Sequence, residues 1–169
     1  MEFLNIDSTG FKEAMGQVME GGIGNDTITQ DTVVKLSKVI RCNEDSTENI
    51  SSLMLVYENN KGETITDFRN FSGKTQEAFA KQVQAHIWTL STLGSPVSAD
   101  EIQATITDDA QASFNLLYEL FAQKFTNAKA KGKSVGIEVE HDLTAQKHII
   151  TRYCNATEVT APSSTDVPF

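Results

Sequence analysis

The sequence predicts an α+β fold that is mainly β and carries a helical insertion. Apolar and polar residues alternate in three segments between residues 32 and 71, which is typical of half-buried strands. The apolar spacing then lengthens to the helical period over residues 74–131, and alternation returns over residues 133–159. Polar or glycine-containing turns separate these segments. The predicted order is therefore three strands, a helical segment and two strands.

The first strand is predicted at "TVVKLSKVIRC", residues 32–42, where β-branched residues are dense. Lys38 interrupts the apolar face of this strand, which indicates a β-bulge at that position. A polar turn, "NEDSTEN", follows the strand. Alternation assigns Val34, Leu36, Ile40 and Cys42 to one face and Lys35, Ser37, Val39 and Arg41 to the other.

The second and third strands are predicted to form a hairpin. In "ISSLMLVYE", the apolar run from Leu53 to Tyr57 predicts burial on both faces. "NNKG" follows, and Asn and Gly tolerate the positive φ angles that a tight hairpin turn requires. The third strand is "ETITDFRNF", which ends before Ser72–Gly73. Three successive strands with short connections predict a meander.

Two long helices are predicted in the segment 74–131. The first, "KTQEAFAKQVQAHIWTLSTLG", ends at Gly94, and the second, "DDAQASFNLLYELFAQKFTNAKAKG", begins at Asp108 and Asp109 and ends at Gly132. Ser98 is predicted to cap a short helix between them. Each long helix has an apolar stripe that predicts either core or a self-association face, and these stripes are Phe79, Val83, Ile87 and Leu90, and Phe114, Leu117, Phe121 and Phe125.

Trp88 lies one position off the first of these stripes, next to Ile87. This position predicts a partly exposed ring, suited to an oligomer contact.

The last two strands are predicted at "KSVGIEVEH" and "AQKHIITRYCNATEV", on either side of a polar turn, "DLT". In the first of them, alternation turns Val135, Ile137 and Val139 inward. The resulting domain spans residues 31–159. A loosely ordered lead, partly helical around residues 9–19, is predicted over residues 1–30, and a flexible tail over residues 160–169.

Length and composition favour one globular domain of a cytoplasmic protein. The 169 residues are sufficient for one core, and the 39% hydrophobic and 22% charged content is ordinary for a globular chain. The net charge of −9 argues against a surface coated by a polyanion, although a local basic groove is compatible with it. Cys42 and Cys154 have neither CxxC nor zinc spacing, which indicates buried thiols in a reducing compartment. No signal peptide, spanning segment, cofactor motif or metal motif is recognised.

The predicted order, βββ-α(α)-ββ, is that of the OB-fold, a five-stranded barrel with a helix between its third and fourth strands. The final residues, Asp166–Val167–Pro168–Phe169, resemble the C-terminal tip of bacterial and phage single-stranded-DNA-binding proteins. That tip ends in acidic residues, then Ile or Val, Pro and Phe. "LMLVYENNKGETITDFRNFSG", "GKSVGIEVEHD" and "RYCNATEV" are similar to strands of the phage-type branch, so that the resemblance covers residues 33–93 and 132–169. The chain departs from this family in its single acidic tip residue and its larger helical region.

The resemblance implies an OB-fold core that binds single-stranded DNA without sequence preference during phage replication, recombination or repair, in the host cytoplasm. Such binding needs rings on which bases stack and cations that contact phosphates. On the predicted strands Lys35 and Arg41 share one face, as do Arg69 and Phe71, whereas Phe68 lies opposite Phe71. The candidate DNA-binding residues are Lys35, Lys38, Arg41, Tyr57, Phe68, Arg69, Phe71, Lys147, Arg152 and Tyr153.

The resemblance also implies that the tip recruits partner proteins of replication and recombination. Phe169 would enter an apolar pocket of the partner, and its carboxylate and Asp166 would meet Lys or Arg at the rim. Pro168 restricts φ and so reduces the ordering cost of Val167 and Phe169.

The sequence leaves two alternatives to DNA binding open. An acidic phage protein-interaction module that binds no DNA would suit the net charge. Glu58, Glu63 and Asp67 offer carboxylates to a metal-dependent nuclease, but no catalytic motif accompanies them, and a non-enzymatic protein is predicted.

Overall fold

The computed structural model describes residues 26–42, 50–72 and 75–159. The strands in it form one antiparallel sheet in the order β3-β2-β1-β4-β5, with β3 and β5 at its edges. The predicted α+β class and the order of the elements are therefore confirmed. The elements are β1 (Thr32–Cys42), β2 (Ile50–Glu58), β3 (Thr64–Ser72), α1 (Gln76–Thr92), α2 (Ala99–Gln103), α3 (Ala110–Lys131), β4 (Val135–Asp142) and β5 (Lys147–Asn155).

The part of the predicted lead that the structure describes, residues 26–30, packs on the start of β3. The backbone N–H groups of Thr27 and Ile28 donate to the carbonyl of Thr64 at 2.8 and 2.9 Å, and Ile28 is buried in the core. The packed part of the chain therefore includes residues before the predicted boundary at Asp31. Residues 1–25, the turn at 43–49 and the tail at 160–169 lie outside the described residues.

β1 is shared by two halves of the sheet. Its first residues, from Thr32 to Val34, pair with β4, whereas Lys35 to Cys42 pair with β2. The register shifts between Leu36 and Lys38, so that the bulge lies at Ser37, one residue before the predicted position.

The bulge reverses the alternation of side chains in the second half of β1. Leu36 pairs with Tyr57 and Val39 pairs with Leu55, and all four contact the core. Ile40 therefore lies on the opposite face, which we call the outer face. The prediction that Ile40 and Cys42 continue the face of Val34 and Leu36 is wrong, because one extra residue moves every following side chain to the other face.

The hairpin between β2 and β3 has the predicted turn. The side-chain carbonyl of Asn59 accepts from the N–H groups of Lys61 and Glu63 at 3.0 and 2.9 Å, and Gly62 has a φ of 80°. The run from Leu53 to Tyr57 is at most 2% exposed at each residue, which confirms its burial on both faces.

Capping residues are found at the ends of the helices. Thr75 caps α1, Ser98 forms a capping box with Glu101 at α2, and Asp109 caps α3. Gly132 ends α3 with a φ of 64°. Both predicted apolar stripes pack against the sheet, so that they form core. Within the described residues, neither long helix is sufficiently apolar to span a bilayer.

The final strand is shorter than predicted. β5 ends at Asn155, and residues 156–159 form a helical turn in which the Glu158 carboxylate accepts from the Asn155 N–H at 2.7 Å. Cys154 is buried and Cys42 is half-buried, and both are free thiols.

Candidate nucleic-acid interface

Two of the predicted stacking rings lie in the core. Tyr57 on β2 is 0% exposed and Phe71 on β3 is 1% exposed. Phe71 packs against Tyr118 and Phe121 of α3, with ring centroids 5.4 and 5.6 Å apart. The prediction that Tyr57 and Phe71 contact DNA is wrong, because a base can stack only on a ring whose face is exposed.

Two further predicted residues, Arg69 and Tyr153, join the edge strands β3 and β5. The Tyr153 hydroxyl donates to the Asp67 carboxylate, which also accepts from Arg69 Nε at 2.9 Å. The Arg69 guanidinium carbon lies 5.2 Å from the centroid of the Tyr153 ring. Burial and the Asp67 carboxylate raise the pKa of Tyr153, so that its hydroxyl stays protonated and donates. We call Asp67, Arg69 and Tyr153 the seam.

The remaining Arg69 donors point to α1. Arg69 Nη2 donates to Thr89 Oγ1 at 2.8 Å, and Nη1 lies 3.4 Å from His86 Nδ1. Only 12% of the Arg69 side chain is exposed. Arg69 therefore connects two strands and a helix, and it does not provide a free cation for a phosphate.

The other two predicted arginines are on the surface, but each is paired with carboxylates. Arg41 forms an ion pair with Glu119 of α3. Arg152 donates to Glu138 at 2.7 Å and to Glu158 at 3.0 Å, and these carboxylates raise its pKa. A phosphate at either guanidinium would have to compete with these carboxylates.

The two predicted lysines of β1 lie on the outer face. Lys35 and Lys38 are exposed, and Lys38 pairs in register with Val56. Arg41 pairs with Leu53, whose side chain is in the core, so that Arg41 lies on the helix side of the sheet. The prediction that Lys35 and Arg41 share a face is wrong because of the intervening bulge.

Phe68 and Lys147 form the arrangement that the DNA-binding prediction requires. Phe68 on the outer face of β3 is 40% exposed, and the Lys147 ammonium, at the start of β5, lies 5.2 Å from its ring centroid. Phe68 lies on the face opposite Phe71, as alternation predicts. The Lys147 side chain would have to move off the ring face for a base to stack there, and its flexible stem keeps the ammonium within reach of the phosphate of that base.

Phe68 also lines a cleft of about 510 Å³ between β3, β5 and α1. Arg69 and Tyr153 of the seam are part of its lining, and Arg152 lies at the β5 side. The α1 residues of the lining include Trp88, which is 66% exposed. Sequence reasoning missed Trp88 as a site residue, although its position off the apolar stripe predicted an exposed ring.

β2 separates this cleft from the lysines of β1. On the outer face of β2, Met54 and Val56 are 2% and 1% exposed. Lys35 and Lys38 therefore lie on the far side of a covered strand from Phe68. The structure brings together only part of the predicted set.

A larger cavity of about 1070 Å³ lies at the start of β1 and the turn between β2 and β3. Among the described residues, its lining contains lysines and carboxylates but no aromatic ring. Single-stranded DNA in this cavity would therefore have no aromatic ring on which its bases could stack.

The three carboxylates considered for a nuclease do not converge. Glu63 accepts from Asn59 Nδ2 at 2.8 Å, Asp67 belongs to the seam, and Glu58 pairs in register with Lys35. In the part of the chain that the structure describes, no three His, Cys, Asp or Glu residues form a group that could hold a metal ion.

The predicted partner-binding residues Asp166, Val167, Pro168 and Phe169 lie outside the described residues. No protein-family model matches the sequence, and a search of curated proteins found no match.

Proposed function

We propose that the protein binds single-stranded DNA without sequence preference, at a site centred on Phe68 and Lys147. The exposed Phe68 ring beneath the Lys147 ammonium is the observation that carries this proposal. A ring accepts any base on its face, and an ammonium contacts any phosphate, so that neither group reads sequence.

The position of these residues also supports the proposal. β3 and β5 are the two edge strands of the sheet, and the seam joins them, which is compatible with an OB-type barrel. OB-folds bind oligonucleotides on the face of strands 2 and 3 and at the loop between strands 4 and 5. Phe68 belongs to the third strand, and Lys147 follows that loop. A role in phage replication or recombination, with partner recruitment by the residues Asp166–Phe169, rests on the family resemblance.

Fluorescence anisotropy of a labelled oligo-dT tests the proposal. Phe68→Leu removes the ring but keeps an apolar side chain, and we expect binding to weaken about 5- to 100-fold, since a stacked base contributes about 1–3 kcal/mol. Phe68→Tyr keeps the ring and should retain affinity. Unchanged binding by Phe68→Leu would contradict the assignment of the site.

Salt dependence separates the contribution of Lys147 from that of the ring. For Lys147→Ala, the slope of log K against log salt should become shallower by about 0.7, the value for one phosphate contact with a single strand. Lys81→Ala, on the exposed face of α1, is the matched control and should leave the slope unchanged. Absence of binding by the intact chain even at low salt would overturn the proposed function.

The second candidate is an acidic protein-interaction module that binds no DNA. The observation that favours it is the pairing of both surface arginines, Arg41 and Arg152, with carboxylates. It predicts no affinity for single strands at low salt. It also predicts that retention of partner proteins is lost when residues 163–169 are removed.

A further inference from the structure

Trp88 is an exposed indole at the mouth of a cleft that already contains a candidate stacking ring. It is the single tryptophan of the sequence and is 66% exposed on α1. Trp88 on α1 and Phe68 on β3 both line this cleft. Successive bases of a single strand stack on such exposed rings.

The covered neighbours of Phe68 restrict the direction that a bound strand could take. Met54, which pairs in register with Phe68, is 2% exposed, and Val56 beside it is 1% exposed. A strand stacked on Phe68 therefore cannot continue across the outer face of β2. The cleft toward α1 is open.

The chemistry of the cleft suits bases better than phosphates. Both of its guanidinium groups are already bound. Arg69 donates to Asp67 and Thr89, and Arg152 donates to Glu138 and Glu158. The side chains of Asn70 and Gln82 at the cleft are neutral and polar. Such neutral groups do not attract phosphates, whereas Lys147 supplies the phosphate contact at the Phe68 end.

We propose that Trp88 is a second base-stacking platform, and that single-stranded DNA held at Phe68 continues through the cleft to α1. This inference rests on the proposed function. It adds a binding residue from the helical segment to a site otherwise built from strands.

Intrinsic fluorescence provides a direct test, because Trp88 is the only indole that can respond. Titration of the intact chain with unlabelled oligo-dT should quench its emission, in parallel with the anisotropy of labelled oligo-dT. Trp88→Ala should weaken binding about 5- to 100-fold, whereas Trp88→Phe should retain most of the affinity. Leu116→Ala, which truncates another exposed apolar residue on α3, is the matched control and should bind normally.

The outcomes distinguish this inference from the proposed function. Binding by anisotropy without quenching, and with Trp88→Ala unchanged, would overturn the inference while the proposed function stands. No binding by anisotropy would overturn both. Trp88 emission that changes with protein concentration in the absence of DNA, together with a higher mass by sedimentation that Trp88→Ala abolishes, would instead assign the ring to self-association.

Discussion

Tyr153 on β5 donates a hydrogen bond to Asp67 on β3, and this contact joins the two edge strands of the sheet. Arg69 binds the same carboxylate and also contacts Thr89 on α1. The side chains of the seam therefore connect β3 and β5, the first and last strands in the order of the sheet. All three residues of the seam also line the cleft between β3, β5 and α1.

We predict that Tyr153→Phe destabilises the fold by about 2 kcal/mol, because Asp67 loses a donor in a largely buried site. Urea unfolding would measure this loss, and hydrogen exchange should show faster opening of β5. Tyr118→Phe is the control, since the Tyr118 hydroxyl donates to the Ser52 carbonyl at 2.9 Å, away from β5. If Tyr153→Phe left β5 as protected as in the wild-type chain, the seam would not hold this strand.

We predict that stability falls as the pH decreases from about 6.5 toward 4, because His86 is buried in the neutral form. His86 Nε2 lies 2.9 Å from the Asn70 carbonyl, and Nδ1 faces Arg69, which assigns the proton to Nε2. Burial and the Arg69 charge lower the pKa of His86 from 6.5 to about 4. The unfolded chain therefore binds an extra proton in this window, and acid favours unfolding.

The expected loss for His86 is at most about 3 kcal/mol over the whole window. Urea unfolding of the wild-type chain and of His86→Gln between pH 7.5 and 4.5 would measure it, and the variant should have a shallower pH dependence. Gln84→Ala, at an exposed position of α1 two residues before His86, is the control and should keep the wild-type dependence. Equal slopes for the wild-type chain and His86→Gln would contradict the prediction.

We predict that Glu138→Gln/Glu158→Gln strengthens binding of oligo-dT at low salt about threefold, since Arg152 is freed to contact a phosphate. The salt dependence of log K should become steeper by about 0.7. Glu77→Gln/Asp108→Asn makes the same change of net charge at two exposed positions outside the cleft, and is the control. An equal gain in affinity for oligo-dT in both double variants would mean that the net charge of the protein, and not a contact of Arg152 with a phosphate, causes the stronger binding.

We predict that Gly136→Ala destabilises the fold by about 1–3 kcal/mol, through overpacking between β4 and β5. A Cβ at residue 136 would lie 2.8 Å from both Cys154 Sγ and Val159 Cγ2, and 2.9 Å from the Asn155 carbonyl oxygen. Thermal unfolding would measure the change, and Ser134→Ala, at an exposed position, should stay within about 0.5 kcal/mol. A Gly136→Ala variant as stable as the wild-type chain would contradict this prediction. It would show that the helical turn at residues 156–159 shifts without cost to make room for the added methyl group.

The strands and helices could be predicted because their signals are local. β-branched alternation, the Asn59–Gly62 turn and the caps at Ser98 and Asp109 each depend on a few consecutive residues. Alternation also separated Phe68 from Phe71 correctly. The end of β5 was missed because residues 156–159 turn as a helix despite their polar and β-branched composition.

The composition of the site could be predicted only in part, because it depends on contacts between distant segments. Whether Arg69 is free or bound depends on Asp67, on α1 and on Tyr153 of the last strand. Alternation gives the faces of a strand, but it does not say which face the helices cover. Phe71 was therefore predicted as a site residue although it is core.

The division of β1 between two partners has a consequence for the order of folding. The pairs between β1 and β2 close a short loop, whereas Thr32–Val34 must meet Val135–Ile137 across the whole helical segment. Because closing a long loop costs more chain entropy, the β1–β2–β3 meander can form before β4 docks on β1. Contacts formed late affect mainly the unfolding rate. The pairing of β1 with β4 would then control the unfolding rate of the domain. Substitutions that weaken this pairing at Val34 or Ile137 would shorten the lifetime of the native state.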